Sequence, residues 1–193
     1  MLDLDSGPIH LSVEAGIGGT TLALSLAAKL LQENSRIVWF GRTMPNGERM
    51  SQIFSELDHS KLEKFYAIEF GEDLFIKTKE MKPLLSHFTK EDLVIVDDWC
   101  PSQGRVPSSD FQAMKIIIDN TKSTRVLFIS KAYENPSNEG MHWRSRGGKL
   151  TDLRQVWLLM KDDLRETRII IDGTKEIELK LDNNGFSLTN FPN

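Results

Sequence analysis

The residues best placed to do chemistry stand close to the N-terminus. They are Gly16, Gly18, Gly19, Thr20 and Thr21, in the run Val13-Glu14-Ala15-Gly16-Ile17-Gly18-Gly19-Thr20-Thr21. A short apolar strand, Ile9–Val13, leads into the glycine-rich turn Glu14–Gly19. A helix opens at Thr20 and is apolar on most of its circumference as far as Leu31. Strand, glycine turn and Thr-led helix together make a cradle for phosphate, because the turn's N–H groups and the positive helix end face one point. The full pattern needs glycine at its start and lysine just before the threonine. Val13 and Gly19 occupy those two positions. The missing ammonium is the larger loss. A charge-assisted contact is worth roughly twice a neutral hydrogen bond, and a positioned charge in phosphoryl transfer contributes ~3 kcal/mol or more. Lys29, more than two helical turns further on, does not replace it. The competing reading is that the three glycines only make a tight strand-to-helix turn.

Asp97 and Asp98 end the apolar run Leu93–Val96, where a metal-directing acid belongs when a strand's carboxyl end faces bound phosphate. The alternative is a polar strand end facing solvent. The four histidines are far apart and form no zinc-like spacing with Cys100, so no metal held by a His/Cys cluster is expected.

The elements that must carry these residues alternate. After the first helix comes a strand at Arg36–Phe40, which completes a βαβ crossover and implies parallel strands. Lys64–Phe70 reads as a strand, Thr78–Phe88 as a helix, Asp110–Asn120 as a helix and Arg125–Ile129 as a buried strand. Past Lys149 the alternation stops. Leu153–Met160, Thr167–Ile171, Glu176–Leu181 and Gly185–Leu188 read as successive strands joined by hairpin turns. The expected fold is α/β: a mostly parallel sheet flanked by helices, with a C-terminal antiparallel extension. One domain spans 1–193, with an α/β core at 1–148 and the extension at 149–193. Tyr133–Gly148 is expected to be one long irregular loop.

Bulk properties narrow the functions. Apolar content of 39% and charged content of 27% are those of an ordinary globular chain. A net charge of −4 argues against coating nucleic acid by bulk electrostatics, while leaving room for a local basic loop. The single cysteine excludes an internal disulfide and fits a reducing compartment. With no secretory signal and no spanning apolar run, the expectation is a cytoplasmic protein with no membrane partner.

With these segments in view, the chain resembles the RecA/RadA superfamily, especially the recombinase paralogues of archaea and their KaiC-like relatives. Val13–Leu31 is similar to that family's first nucleotide motif and helix, and Leu93–Asp98 to its second. Ile37–Ile53 is similar to its next strand and helix, and Ser145–Lys161 to the segment closing its second DNA-facing loop. The resemblance implies a RecA-like P-loop core. It also puts Thr43 near the position of the glutamate that polarises the attacking water. With Gly19 for lysine and Thr43 for glutamate, charge stabilisation and water activation are both missing. The chain begins almost at the first core strand, so the N-terminal domain and linker through which full recombinases build filaments are expected to be lacking. The loop Ala15–Thr21 also looks like the deviant phosphate loop of the MinD/ParA group, but Glu14 stands where that group has lysine.

The segment Met141–Lys149 interleaves bases with an aromatic, where RecA-like proteins carry a DNA-facing loop. His142, Trp143, Arg144, Arg146 and Lys149 form the candidate nucleic-acid set, with Arg42, Arg49 and Arg105 as additions if they share its face. Arg and Lys neutralise phosphates, and a stacked Trp143 would contribute ~1–3 kcal/mol per unpaired base. The competing reading is a solvated loop with the tryptophan folded onto the core.

The functional expectation is a catalytically inactive RecA-like paralogue that binds single-stranded DNA, a recombinase or both, in recombination or repair. The loop residues Gly16, Gly18, Gly19, Thr20, Thr21, Asp97 and Asp98 are then a vestigial nucleotide site, no cofactor is held tightly, and ATP with magnesium binds weakly if at all. A homo- or hetero-oligomer is compatible with this. Two alternatives are a weak ATPase, in which another arginine or lysine replaces the missing charge, and an assembly subunit resembling the RecA-like accessory subunits of Elongator.

Overall fold

The computed structural model describes residues 2–136, 142–148, 150–161 and 166–189. Five strands carry the parallel part of the sheet that holds the loop: β1 (Ile9–Glu14), β2 (Ile37–Gly41), β4 (Leu93–Asp97), β5 (Arg125–Glu134) and β7 (Arg154–Met160). β3 (Phe65–Glu69) adds a parallel edge to β2. β8 (Thr167–Asp172), β9 (Lys175–Asp182) and β10 (Gly185–Leu188) then extend the sheet beyond β7 by antiparallel hairpins. The order is β10-β9-β8-β7-β1-β5-β4-β2-β3, with β6 (Trp143–Ser145) attached to β5. The expected α/β fold with a C-terminal antiparallel extension is what the structure has, but the antiparallel part begins one strand later than expected. β7 runs parallel to β1, with Leu11 opposite Val156, so it belongs to the central sheet.

Two apolar layers cover the sheet. On one face, α1 (Gly19–Gln32) and α2 (Gly47–Ile53) pack on Ile9, Leu11, Val13, Ile37, Leu93, Ile95, Leu127 and Ile129. On the other, α4 (Leu74–Leu85) and α5 (Ser108–Asn120) pack on Val38, Phe40, Val94, Val96, Val126 and Phe128. Strands buried on both faces explain the unbroken apolar runs in the sequence. Each fully buried Leu, Ile, Val or Phe contributes roughly 1.5–3 kcal/mol of transfer free energy. A short α3 (His59–Leu62) precedes β3. Helix α4 begins one turn before the expected Thr78, because Leu74 is buried on the same face as Thr78.

The expected irregular loop at 133–148 is in part a hairpin. β5 continues to Glu134, and β6 returns antiparallel, with Tyr133 opposite Arg144 and Glu134 opposite Trp143. Among the described residues no helix is long and apolar enough to cross a membrane, and no group of three His, Cys, Asp or Glu side chains is placed to hold a metal ion.

Candidate functional site

The sheet order brings the expected loop residues together. The connection after β1 leaves to α1 on one face, and that after β4 leaves to α5 on the other. A crevice therefore opens at the carboxyl ends of these strands, where open α/β sheets bind ligands. Gly16 (φ 78°) and Gly18 (φ 102°) are left-handed, a conformation that only glycine adopts cheaply, and Gly18 is the N-cap of α1. A side chain at Gly18 would also meet the ring of Phe186 on β10 at 3.3 Å. The first turn of α1 carries no acid.

Gly19 explains Val13. A Cβ at position 19 would lie 2.9 Å from both Val13 methyl groups, so the valine at the pattern's first glycine position fills the space in which a side chain at its lysine position would begin. The two departures from the pattern are one packing solution.

Thr20 and Asp97 meet directly: Thr20 Oγ1 donates to Asp97 Oδ2 at 2.8 Å. Burial pushes the Asp97 carboxyl up to about 6. The Thr20 hydrogen bond opposes that rise, Asp98 adds to it and Lys131 counters it. Asp98 is held in the left-handed region (φ 52°), and its carbonyl accepts from Arg42 Nε at 2.9 Å. Its carboxylate faces Lys131 Nζ at 3.9 Å. Thr20, Thr21, Thr43, Asp97 and Asp98 line a cleft of about 290 Å³ together with Arg42 and Arg49. A larger space of about 690 Å³, sharing Thr21 and Arg49 with the cleft, is lined also by Gly16, Gly18 and Lys180. Glu14, at the MinD/ParA lysine position, accepts from the Met160 N–H at 2.8 Å and is tied to β7.

The arginines are mostly committed. Arg42 donates to the carbonyls of Asp98, Gly71 and Trp99 and pairs with Glu72 and Asp110, tying strand ends to α5. Arg49 donates to the carbonyls of Asp182 and Asn183, fixing α2 to the β9–β10 turn. The buried Arg168 of β8 donates to the Ile17 carbonyl at 3.1 Å, bracing the loop from behind. Sequence periodicity put Arg168 on a strand but gave no sign that it would reach the loop.

The candidate nucleic-acid residues are not brought together. Trp143 is half-buried against Ala132, Trp157 and Leu159, with Ile169 and Ile171 nearby. Arg146 turns back to the carbonyls of Pro101 and Gly104. Gly147 serves packing: a Cβ there would lie 2.2 Å from the Trp99 ring. Beneath it, buried His10 Nε2 lies 2.8 Å from Ser130 Oγ and 3.4 Å from Ser145 Oγ, and receives the Trp99 indole N–H at 3.3 Å, which pins β6 to the sheet. His142 and Arg144 are exposed, and Lys149 lies outside the described residues. Arg105 is exposed on the loop that Arg146 holds. Arg144 is paired in register with exposed Tyr133, an aromatic that the sequence reading passed over.

The sequence matches no protein-family model and no curated protein. Solved structures share its architecture. The RadB recombinase superposes with a TM-score of 0.70 at 15% identity, over 95% of this chain and 91% of that one. A KaiC-like protein from the hyperthermophilic archaeon Pyrococcus horikoshii gives 0.62 at 15% identity, over 97% and 90%. A DnaB-like replicative helicase gives 0.58 at 10% identity, and this chain spans 57% of that longer one. At such identities the likeness is one of fold. The fold of this chain is the α/β arrangement that the RadB recombinase and the KaiC-like protein share.

Proposed function

We propose that this chain is a recombinase paralogue of the RecA-like group that binds a magnesium-bound nucleotide weakly, without productive turnover, and acts in recombination or repair through single-stranded DNA or a recombinase partner. The observation that carries the reading is the Thr20–Asp97 hydrogen bond beneath a turn in which Gly16 and Gly18 keep left-handed backbone. In nucleotide-binding loops of this build, a loop hydroxyl and a strand-end aspartate hold magnesium. The cleft beside them supports the same reading. Absence of turnover follows from Thr43, which has no carboxylate to orient a water. The likeness to the RadB recombinase supports the choice of recombination over other RecA-like roles.

The test is calorimetry with magnesium and ATP on the wild-type chain and on Thr20→Val, together with a phosphate-release assay. The expected result is magnesium-dependent binding that Thr20→Val removes, and no phosphate release above background. Failure of the wild type to bind overturns the nucleotide reading. Release abolished by Asp97→Asn would instead make the chain a working ATPase.

A further inference from the structure

The cleft at the phosphate loop joins two acids, Asp97 and Asp98, to a loop with no lysine, so a bound phosphate needs a cation from elsewhere. Val13 closes the usual route, because position 19 has no room for a Cβ. Arg42 and Arg49 line the cleft, but the Arg42 guanidinium is spent on backbone carbonyls and carboxylates, and that of Arg49 is anchored to the carbonyls of Asp182 and Asn183.

Lys131 is differently placed. It follows Leu127 and Ile129 at every second position of β5, and both of those pack into the layer beneath α1, so strand alternation puts Lys131 on the same face. In the parallel register it stands opposite Val13, one strand from the start of the loop. Its Nζ lies 3.9 Å from Asp98 Oδ2, and its charge also acts on Asp97, the residue bonded to Thr20. The side chain is 49% exposed, and 3.9 Å is too long for a hydrogen bond, so the ammonium keeps its donors for another oxygen.

We propose that Lys131 supplies, from β5, the cation that the phosphate loop lacks at Gly19, and that its ligand is the terminal phosphate of a magnesium-bound nucleoside triphosphate. The proposal rests on the reading of this cleft as a nucleotide site. On binding, the lysine exchanges the long contact with Asp98 for a charge-assisted hydrogen bond to phosphate. The loop itself supplies backbone N–H groups and the Thr20 hydroxyl. Val13 at the loop's start and a lysine on the neighbouring strand are then two halves of one rearrangement.

The experiment compares wild type, Lys131→Met, Lys131→Arg and Lys122→Met by calorimetry with magnesium-ATP and magnesium-ADP, with melting curves on each. Lys122 lies at the opposite end of β5, before its first residue, and serves as the control. The expected result is roughly ten-fold or greater loss of ATP affinity in Lys131→Met, on the scale of one hydrogen bond to a charged group. The loss for ADP should be smaller, affinity should be largely kept in Lys131→Arg, and Lys122→Met should show no change. Melting should stay near wild type, because Lys131 is half exposed. ATP affinity kept within two-fold in Lys131→Met, while the wild type binds, overturns the role of Lys131 and leaves the nucleotide site standing. Absence of binding in the wild type overturns both.

Discussion

Replacing Gly19 with alanine puts a methyl group where Val13 already has two. The added Cβ would stand 2.9 Å from each Val13 methyl and 3.2 Å from the Val13 Cβ. Relieving glycine's backbone entropy in the first helical turn favours alanine by roughly 0.5–1 kcal/mol. Overpacking a filled site costs about 1–3 kcal/mol. Val13 is 6% exposed in a central strand and has little room to yield, so the expected net loss for Gly19→Ala is about 1–2 kcal/mol. Val13→Ala alone should cost about 2 kcal/mol for two buried methyl groups and the space they leave. The double variant is the decisive one. With the two methyls gone, the new Cβ meets only the Cβ of residue 13, so the pair should lose about 1–2 kcal/mol less than the sum of the single losses. Urea unfolding followed by tryptophan fluorescence reads all four proteins, with unchanged slopes as the check that each unfolds in one step. Additivity to within about 0.5 kcal/mol would refute the coupling and with it the account of why lysine is absent at position 19. Gly19→Lys alone meets the same Val13 methyls and should destabilise the chain rather than restore a working loop.

The Asp97 carboxyl is held at about 6 when folded, against 3.8 ordinarily. The folded chain therefore binds that proton more tightly, and the stability it contributes is complete below pH ~4 and lost as pH rises to 6. Asp97→Asn should thus raise stability at pH 7, by as much as about 3 kcal/mol, with the gain vanishing near pH 4; a variant no more stable than wild type at pH 7 would refute this. His10, pushed down from 6.5 to about 4 by burial, works in the opposite sense, and its contribution is lost as pH falls between those values. In urea unfolding across pH, the acid-side loss from His10 should therefore show plainly once Asp97 no longer offsets it. At the hairpin, Trp143→Ala should cost about 2–3 kcal/mol of stability and leave single-strand binding unchanged. Arg144→Ala should leave melting unchanged and lower the slope of log affinity against log salt by about 0.7. The reverse pattern, measured by melting and gel shift, would return Trp143 to the binding surface.

The alternation of apolar runs with amphipathic segments was enough to establish an α/β sheet, because strands buried on both faces and helices packed over them leave unmistakable periods. Glycine spacing and the strand-end acids were likewise legible, since a left-handed turn and a strand terminus are local events. That is why Gly16, Gly18, Thr20 and Asp97 lie where the sequence put them. Strand order was not local. Parallel pairing of β1 with β5 and with β7 depends on contacts more than a hundred residues apart. Pairing between strands distant in sequence brings Lys131 to Asp98 and Arg168 to Ile17, whereas Val13 fills the space above Gly19 within the loop itself. The basic, aromatic run at 142–148 shows the same limit from the other side. Its composition suited a nucleic-acid surface, but pairing with β5 turns successive side chains to opposite faces, sending Trp143 onto the sheet and leaving Arg144 exposed. Residue types set what chemistry the chain could do, and only the tertiary structure decided which of those groups share a site, because a side chain's neighbours are fixed by register and crossover rather than by its place in the chain.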